Sequence, residues 1–294
     1  MTAAAWLGVL RAHQSRPAEA LSLLRPAARG HIGVEHTSAT LHALLFTGHA
    51  HALAGRPALA LAAFAQYTEE VRRRQVPRFA GRAVNFTGWV LRNLGAAGEA
   101  ADQHAAALEI AQQQGTAEVT IAALEDLAEQ CLDQGDPDGA RARLAEVAAL
   151  LQGDLVFGWR LDLKHRLITG RLALLCGDPG QAAGVAAELE SRAAALGVPR
   201  YLSVARLLRH RADRALGRPV DSGGVQAALD LLDASVAVEA WWWTGEVAAE
   251  FASPVWLDRA ADRAGRLAQQ AEGYADVLRR HADQRLAGWR ARAG

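Results

Sequence analysis

Gly8, Gly48 and Gly88 stand 40 residues apart, and Ala128 continues the column. Seven residues further on come Ser15, Gly55, Gly95 and Gly135. Five beyond those stand Ala20, Ala60, Ala100 and Ala140, and four beyond those Leu24, Phe64, His104 and Leu144. After a two-residue slip the columns return as Gly170, Gly177, Ala182 and Ala186, and Gly217 keeps the step from Gly177. A fixed period of this size means one supersecondary unit stacked on copies of itself, so the chain reads as a solenoid.

The unit is helical. The 294 residues are 51% hydrophobic, dominated by Ala, Leu and Val, and no long stretch alternates with period two. Each unit reads as helix, tight turn, helix. The first helix ends near the Gly55, Gly95, Gly135, Gly177 or Gly217 column, where glycine suits a left-handed cap. Pro57, Pro137, Pro179 and Pro219 follow, and proline at the start of a helix loses only an N–H that has no partner there. The Gly8/Gly48/Gly88 column lies two turns before the cap. A small residue there lets the paired helix approach, with the Ala20/Ala60/Ala100/Ala140/Ala182 column as its counterpart.

This order of Gly, Gly, Ala and a bulky apolar residue, best seen in Gly48, Gly55, Ala60 and Phe64, resembles the tetratricopeptide repeat over residues 1 to about 217. The usual period of that repeat is ~34 residues, and related helical repeats run ~40–47. The 40-residue step therefore predicts longer helices or larger linkers. Longer units of this kind resemble the sensor region of MalT-like and LuxR-type ATP-binding transcription activators. The Ala/Arg-rich texture and Trp-rich tail are similar to the C-terminal halves of actinobacterial regulators of that type. The expected fold is an all-α, right-handed superhelix of tetratricopeptide-like hairpins. The array of five to six hairpins covers 1–220, and 221–294 forms degenerate hairpins and a capping helix continuous with it.

In that tail Asp221–Gly224 reads as a loop, followed by helices from about Val225 to Val238 and from Glu239 to Phe251. Ser253-Pro254 opens another. The last helix, Tyr274 to about Arg292, puts Tyr274, Leu278, Ala282, Leu286 and Trp289 on one face and Arg279, Arg280, Arg285, Arg290 and Arg292 on the other. That is the pattern of a terminal cap. The first residues carry repeat pattern from Trp6, Leu7, Val9 and Leu10 onward. The expectation is a piece or descendant of a longer array whose missing part carried an ATPase module.

Several functions are disfavoured by composition. The 32 basic and 32 acidic residues cancel, so no global field attracts nucleic acid or a membrane. No run reaches the ~18 apolar residues of a membrane helix, and the start shows no signal-peptide pattern. Two cysteines, Cys131 and Cys176, fit a reducing cytoplasm and read as buried, inert thiols. The one lysine, Lys164, has no phosphate-loop context, and no HExxH, GxSxG or CxxC occurs. His31, His36, His42, His49 and His51 crowd one segment, but no pair has the i,i+4 spacing that helical metal ligands need. No metal or cofactor is expected, and no enzyme activity.

The groove face of the first helices is the expected binding surface, which the tetratricopeptide resemblance assigns by register. It holds Arg82, Asn85, Trp89, Arg92 and Asn93 in the third unit and Glu125 and Glu129 in the fourth. Lys164 and Arg171 follow in the fifth, and Arg211 in the sixth. Asn amides hold an extended backbone, Arg forks grip carboxylate or phosphate, and Trp anchors. The alternative for Arg82 and Arg92 is an internal ladder with Glu125 and Glu129. A protein or peptide partner, or a small inducer, is expected in the groove, with no direct nucleic acid contact; self-association stays open. Two further readings are a free-standing adaptor for a protein tail and, last, a helical-repeat enzyme using Glu125, Glu129, Asp133 and His104. Trp241, Trp242 and Trp243 cannot share one helix face, since neighbours are about 100° apart, so at least one meets another element or water.

Overall fold

The computed structural model describes residues 3–29 and 37–293. His31 and His36 lie outside them. The described residues form fifteen α-helices and no strand. They pair as α1 (Ala3–His13) with α2 (Pro17–Arg29), α3 (Thr37–Leu53) with α4 (Pro57–Arg73), and α5 (Ala80–Asn93) with α6 (Ala97–Gln114). The series continues with α7 (Ala117–Gln134) and α8 (Pro137–Leu150), then α9 (Gly158–Leu175) and α10 (Pro179–Ala195). It ends with α11 (Pro199–Ala215) and α12 (Ser222–Ser235), α13 (Ala237–Glu250) and α14 (Pro254–Gln269), and the single helix α15 (Ala275–Ala293). No helix among the described residues is long and apolar enough to cross a membrane.

The period is spent on helix length. α3, α4 and α10 have 17 residues and α6, α7 and α9 have 18, while the turns inside hairpins are two or three residues long except between α11 and α12, where residues 216–221 intervene. The cap column behaves as its composition demands: Gly55, Gly95, Gly135, Gly177 and Gly217 all have φ between 70° and 82°, and Ser15 adopts φ 57° at the same register. The small column has an equally direct cause. A Cβ on Gly8 would lie 2.8 Å from Leu24 Cγ, and one on Gly48 would lie 2.5 Å from Phe64 Cε1. In both cases the obstructing side chain belongs to the bulky column of the same hairpin. Gly170 differs, because the side chain nearest its missing Cβ is Leu208 of α11, at 2.4 Å.

The tail departs from the expected boundaries. α12 begins at Ser222, so Gly223 and Gly224 are helical. The loop spans 218–221 and holds Pro219 outside any helix. Asp221 sets that start by accepting from Gly223 N at 2.9 Å. The break to α13 falls at Val236, not after Val238. A seventh hairpin then repeats the small-residue, left-handed cap and proline offsets with Gly245, Ala252 (φ 51°) and Pro254. Its step from the equivalent His210 is 35 residues, from 210 to 245, so a 40-residue column scan passes over it. Gly245 has the tightest setting of all, since a Cβ there would meet Trp289 Cζ3 at 2.0 Å.

The chain forms two compact units, Met1–Ala100 with Asp233–Gly294, and Ala101–Leu232. In the first, the C-terminal helices pack on the early hairpins. Ala58 N, one of the amides that a helix N-terminus leaves without an internal partner, donates to Gln270 O at 3.2 Å. Tyr274 Oη donates to Glu99 Oε2 at 2.8 Å. Trp241 is buried between α15, where its ring meets His281 and Trp289, and the C-terminus of α5, where Nε1 reaches Asn93 O at 3.4 Å. Trp243 is buried too, and Trp242 is half-buried edge-on to it. Leu278, Ala282, Leu286 and Trp289 form the buried stripe of α15, while Arg279, Arg280, Arg290 and Arg292 are exposed.

The second unit is built on apolar clusters between hairpins. Ile121, Leu124, Val147 and Leu161 join α7, α8 and α9. Ala128, Leu132, Leu144, Ile168 and Leu172 continue that core along the helices. Cys131 belongs to it, but Cys176 is exposed at the C-cap of α9, where Arg141 Nη2 approaches Sγ at 3.4 Å. The buried-thiol expectation therefore holds for Cys131 and fails for Cys176, because the turn carries residue 176 outward.

Candidate functional site

The first helices of the first unit carry a ladder of rings. Trp6 and His42 lie 5.4 Å apart, and Phe46 faces both His49 and Phe86 at 6.3 Å. His49 then meets Phe86 at 4.7 Å and Trp89 at 5.4 Å. Trp6, at 44% exposure, is its open end. Arg82 joins here, with Nη1 3.3 Å from His42 Nε2. His42 Nδ1 lies 2.7 Å from Ser38 O. A carbonyl only accepts, so Nδ1 carries the proton and Nε2 accepts from the guanidinium. His42 is thus held between the Ser38 carbonyl and the Arg82 guanidinium.

Of the five candidates on α5, Arg82, Arg92 and Asn93 are half-buried, while Asn85 and Trp89 are buried. Trp89 Nε1 donates to Glu239 Oε1 at 2.7 Å, and Asn93 Nδ2 donates to Trp89 O at 2.8 Å. Glu239 is itself buried on α13. The tail thus supplies a partner that the repeat register does not predict, since 150 residues separate the two.

The second unit brings Glu125, Glu129, Lys164 and Arg171 together. Along α7, Glu125, Glu129 and Asp133 recur every fourth residue, and α9 answers with cations. Arg171 bridges two carboxylates one turn apart, Nη1 to Glu129 Oε1 at 2.8 Å and Nη2 to Asp133 Oδ1 at 2.9 Å. Lys164 Nζ bonds Asp126 Oδ1 at 2.5 Å and lies 3.8 Å from Glu129 Oε2. Asp126, absent from the sequence-derived set because it lies one residue off the stripe, also faces His104 Nδ1 at 4.0 Å. Arg160 and Glu118 close the upper end at 3.6 Å. Arg211 is half-buried on α11.

Electrostatics divides these acids. Burial pushes the Glu125 carboxyl well above the usual range, against the opposing pull of Lys164, and Asp126 adds to the push. Glu125 is fully buried, and neither carboxyl oxygen has a hydrogen-bond partner. Burial works against the Lys164 ammonium too, but Asp126, Glu129 and Glu125 outweigh it and hold it above its ordinary value. Burial thus favours the neutral form of Glu125, while Asp126 and Glu129 favour the charged form of Lys164. Among the described residues no group of His, Cys, Asp and Glu has a metal-binding arrangement.

No protein-family model matches the chain, and no curated protein matches it. Among solved structures the chain is similar to a Rap protein in complex with competence and sporulation factor. The TM-score is 0.71 at 15% identity, over 91% of this chain and 75% of that one. The fold is an all-α solenoid of tetratricopeptide-like hairpins. At that identity the likeness is one of fold.

Proposed function

We propose that this chain is a non-catalytic binding module that takes a protein or peptide segment on the inner faces of its first helices. The observation that carries this reading is the α1–α3–α5 face. There partly exposed Trp6, Phe86, Arg82, Arg92 and Asn93 stand beside the buried Trp89. Aromatic anchors and guanidinium forks on rigid helices suit an extended segment that ends in, or carries, a carboxylate. A protein of similar fold is complexed with a factor, which favours a binding role. Its place as the regulatory segment of a LuxR/MalT-type regulator, or a detached cytoplasmic relative of one, rests on the sequence resemblance. An adaptor for a protein tail uses the same face. The enzyme reading has less support, because His104, Glu125 and Glu129 are buried and both Glu129 and Asp133 are held by Arg171.

The test is a library of short peptides with free or amidated C-termini, read by thermal shift and fluorescence polarisation. Binding of free-carboxylate peptides that drops at least tenfold in a folded Arg82→Ala/Arg92→Ala variant supports the reading. Equal binding by the variant, or by no peptide at all, overturns it.

A further inference from the structure

Glu125 is the one fully buried acid of unit 2 that the ion-pair lattice leaves without a hydrogen bond among the described residues. Lys164 is the cation that pulls on it most strongly, and it is already shared by Asp126 at 2.5 Å and Glu129 at 3.8 Å. Asp126 is in turn shared between Lys164 and His104. A buried carboxyl with no partner is costly, and neutral it avoids the far larger cost of an unpaired buried charge. The surroundings can be enumerated. Asp126 and Glu129 face it from α7 itself, and Lys164 and Arg160 from α9. His104 reaches the cluster through Asp126, and Tyr201 of α11 faces Lys164. Against the end of α8 the helix packs through Val147, Leu150 and Leu151, while Asp138, Arg141 and Glu146 of α8 are exposed and half-buried Arg143 donates to Gly139 O at 3.0 Å.

We propose that Glu125, Lys164, Asp126 and His104 form a proton-operated joint between the α7–α8 and α9–α10 hairpins, in which loss of the Glu125 proton to water draws Lys164 from Asp126 towards Glu125. With Glu125 neutral, Lys164 locks α9 to α7 through Asp126. With Glu125 ionised, a new charge pulls Lys164 along α7 away from Asp126, while Arg171 keeps hold of Glu129. Lys164 stands on α9, so the shift of its ammonium acts on how α9 is held against α7. The angle between stacked hairpins sets the curvature of a solenoid, so one proton alters the shape of this unit. The joint is independent of what the α1–α3–α5 face binds.

Trp159 on α9 is the one tryptophan of residues 101–232 and sits five positions before Lys164. Its indole is a separately observable probe of α9. The full chain is labelled at Glu carboxyl carbons and Trp indoles and followed by NMR from mildly acidic to alkaline pH. The expected result is one Glu carboxyl still protonated at neutral pH, absent in Glu125→Gln, and a Trp159 indole shift with the same midpoint that the variant loses. Glu125→Met, neutral and of similar length, behaves like Glu125→Gln. The proposal is overturned if every Glu carboxyl is ionised at neutral pH. A Trp159 signal that stays still while Glu125 titrates also overturns it, as does unfolding of both neutral variants, which would mean that the site needs the carboxylate.

Discussion

Trp89 on α5 and Glu239 on α13 are joined by a 2.7 Å hydrogen bond across 150 residues of sequence, and both side chains are buried. The bond ties the tail to an early hairpin in the same unit. Trp89→Phe keeps most of the ring and removes the donor, so Glu239 loses one of its stabilising contacts. The expected cost is about 1–3 kcal/mol. In a double-mutant cycle with Glu239→Gln, measured by urea denaturation, the coupling is expected to exceed about 0.5 kcal/mol. Additive effects would mean that the bond contributes nothing.

Glycines separate into two kinds. Gly48→Ala and Gly245→Ala push a methyl against Phe64 and Trp289, both rings being buried, and overpacking of this sort costs about 1–3 kcal/mol. Gly184→Ala, in α10 with nothing within 4 Å of the new methyl, is expected to stabilise by about 0.5–1 kcal/mol through helix propensity. Chemical denaturation of the three variants reads the opposite signs.

Arg171 holds two acids at once with little exposure to water. Arg171→Met fills similar space but leaves Glu129 and Asp133 without that cation, and removing one partner of a buried pair costs about 3–5 kcal/mol. Arg72→Met breaks an ion pair with Glu69 that stands in solvent, and no measurable loss of melting temperature is expected. Equal losses in the two variants would show that the α7–α9 lattice is no stronger than a surface pair.

Acid should weaken the fold through its histidines. Burial holds His165 and His210 below the ordinary value of 6.5. Below that pH the unfolded chain binds protons that the folded chain refuses, so stability is present above it and falls as pH drops towards the lowered folded values. Melting temperature against pH should show this acid limb, with a shallower slope in His165→Gln. An unchanged slope would remove His165 from the account.

The two thiols should differ in reactivity. Cys176 is exposed and Cys131 sits in the apolar core, where burial raises its thiol above the ordinary range. A maleimide reagent on the native chain is expected to label Cys176 alone, and Cys131 only on denaturation. Peptide mapping of the adducts decides it.

The hairpin unit could be read without any structure, because its cause is local. Gly55 needs a left-handed turn, Pro57 needs a helix start, and Gly48 needs room for Phe64 within the same 40 residues. The two helices of the seventh hairpin were legible but its register was not, because its step shortens to 35 although Gly245, Ala252 and Pro254 keep their own offsets. The acidic stripe of α7 was visible as i,i+4 spacing, but its partners were not. Which of Arg82, Arg92, Lys164 or Arg171 meets Glu129 depends on how neighbouring hairpins rotate against each other.

Sequence alone determined the repeat, the turn chemistry and the all-α class, since each follows from residues less than one unit apart. Tertiary structure decided that Trp89 is taken by Glu239, that Glu125 is sealed without a partner, and that Cys176 faces water. Those outcomes depend on contacts between units of the repeat, where the energy of a side chain is set by packing and desolvation. No local pattern in the chain encodes them.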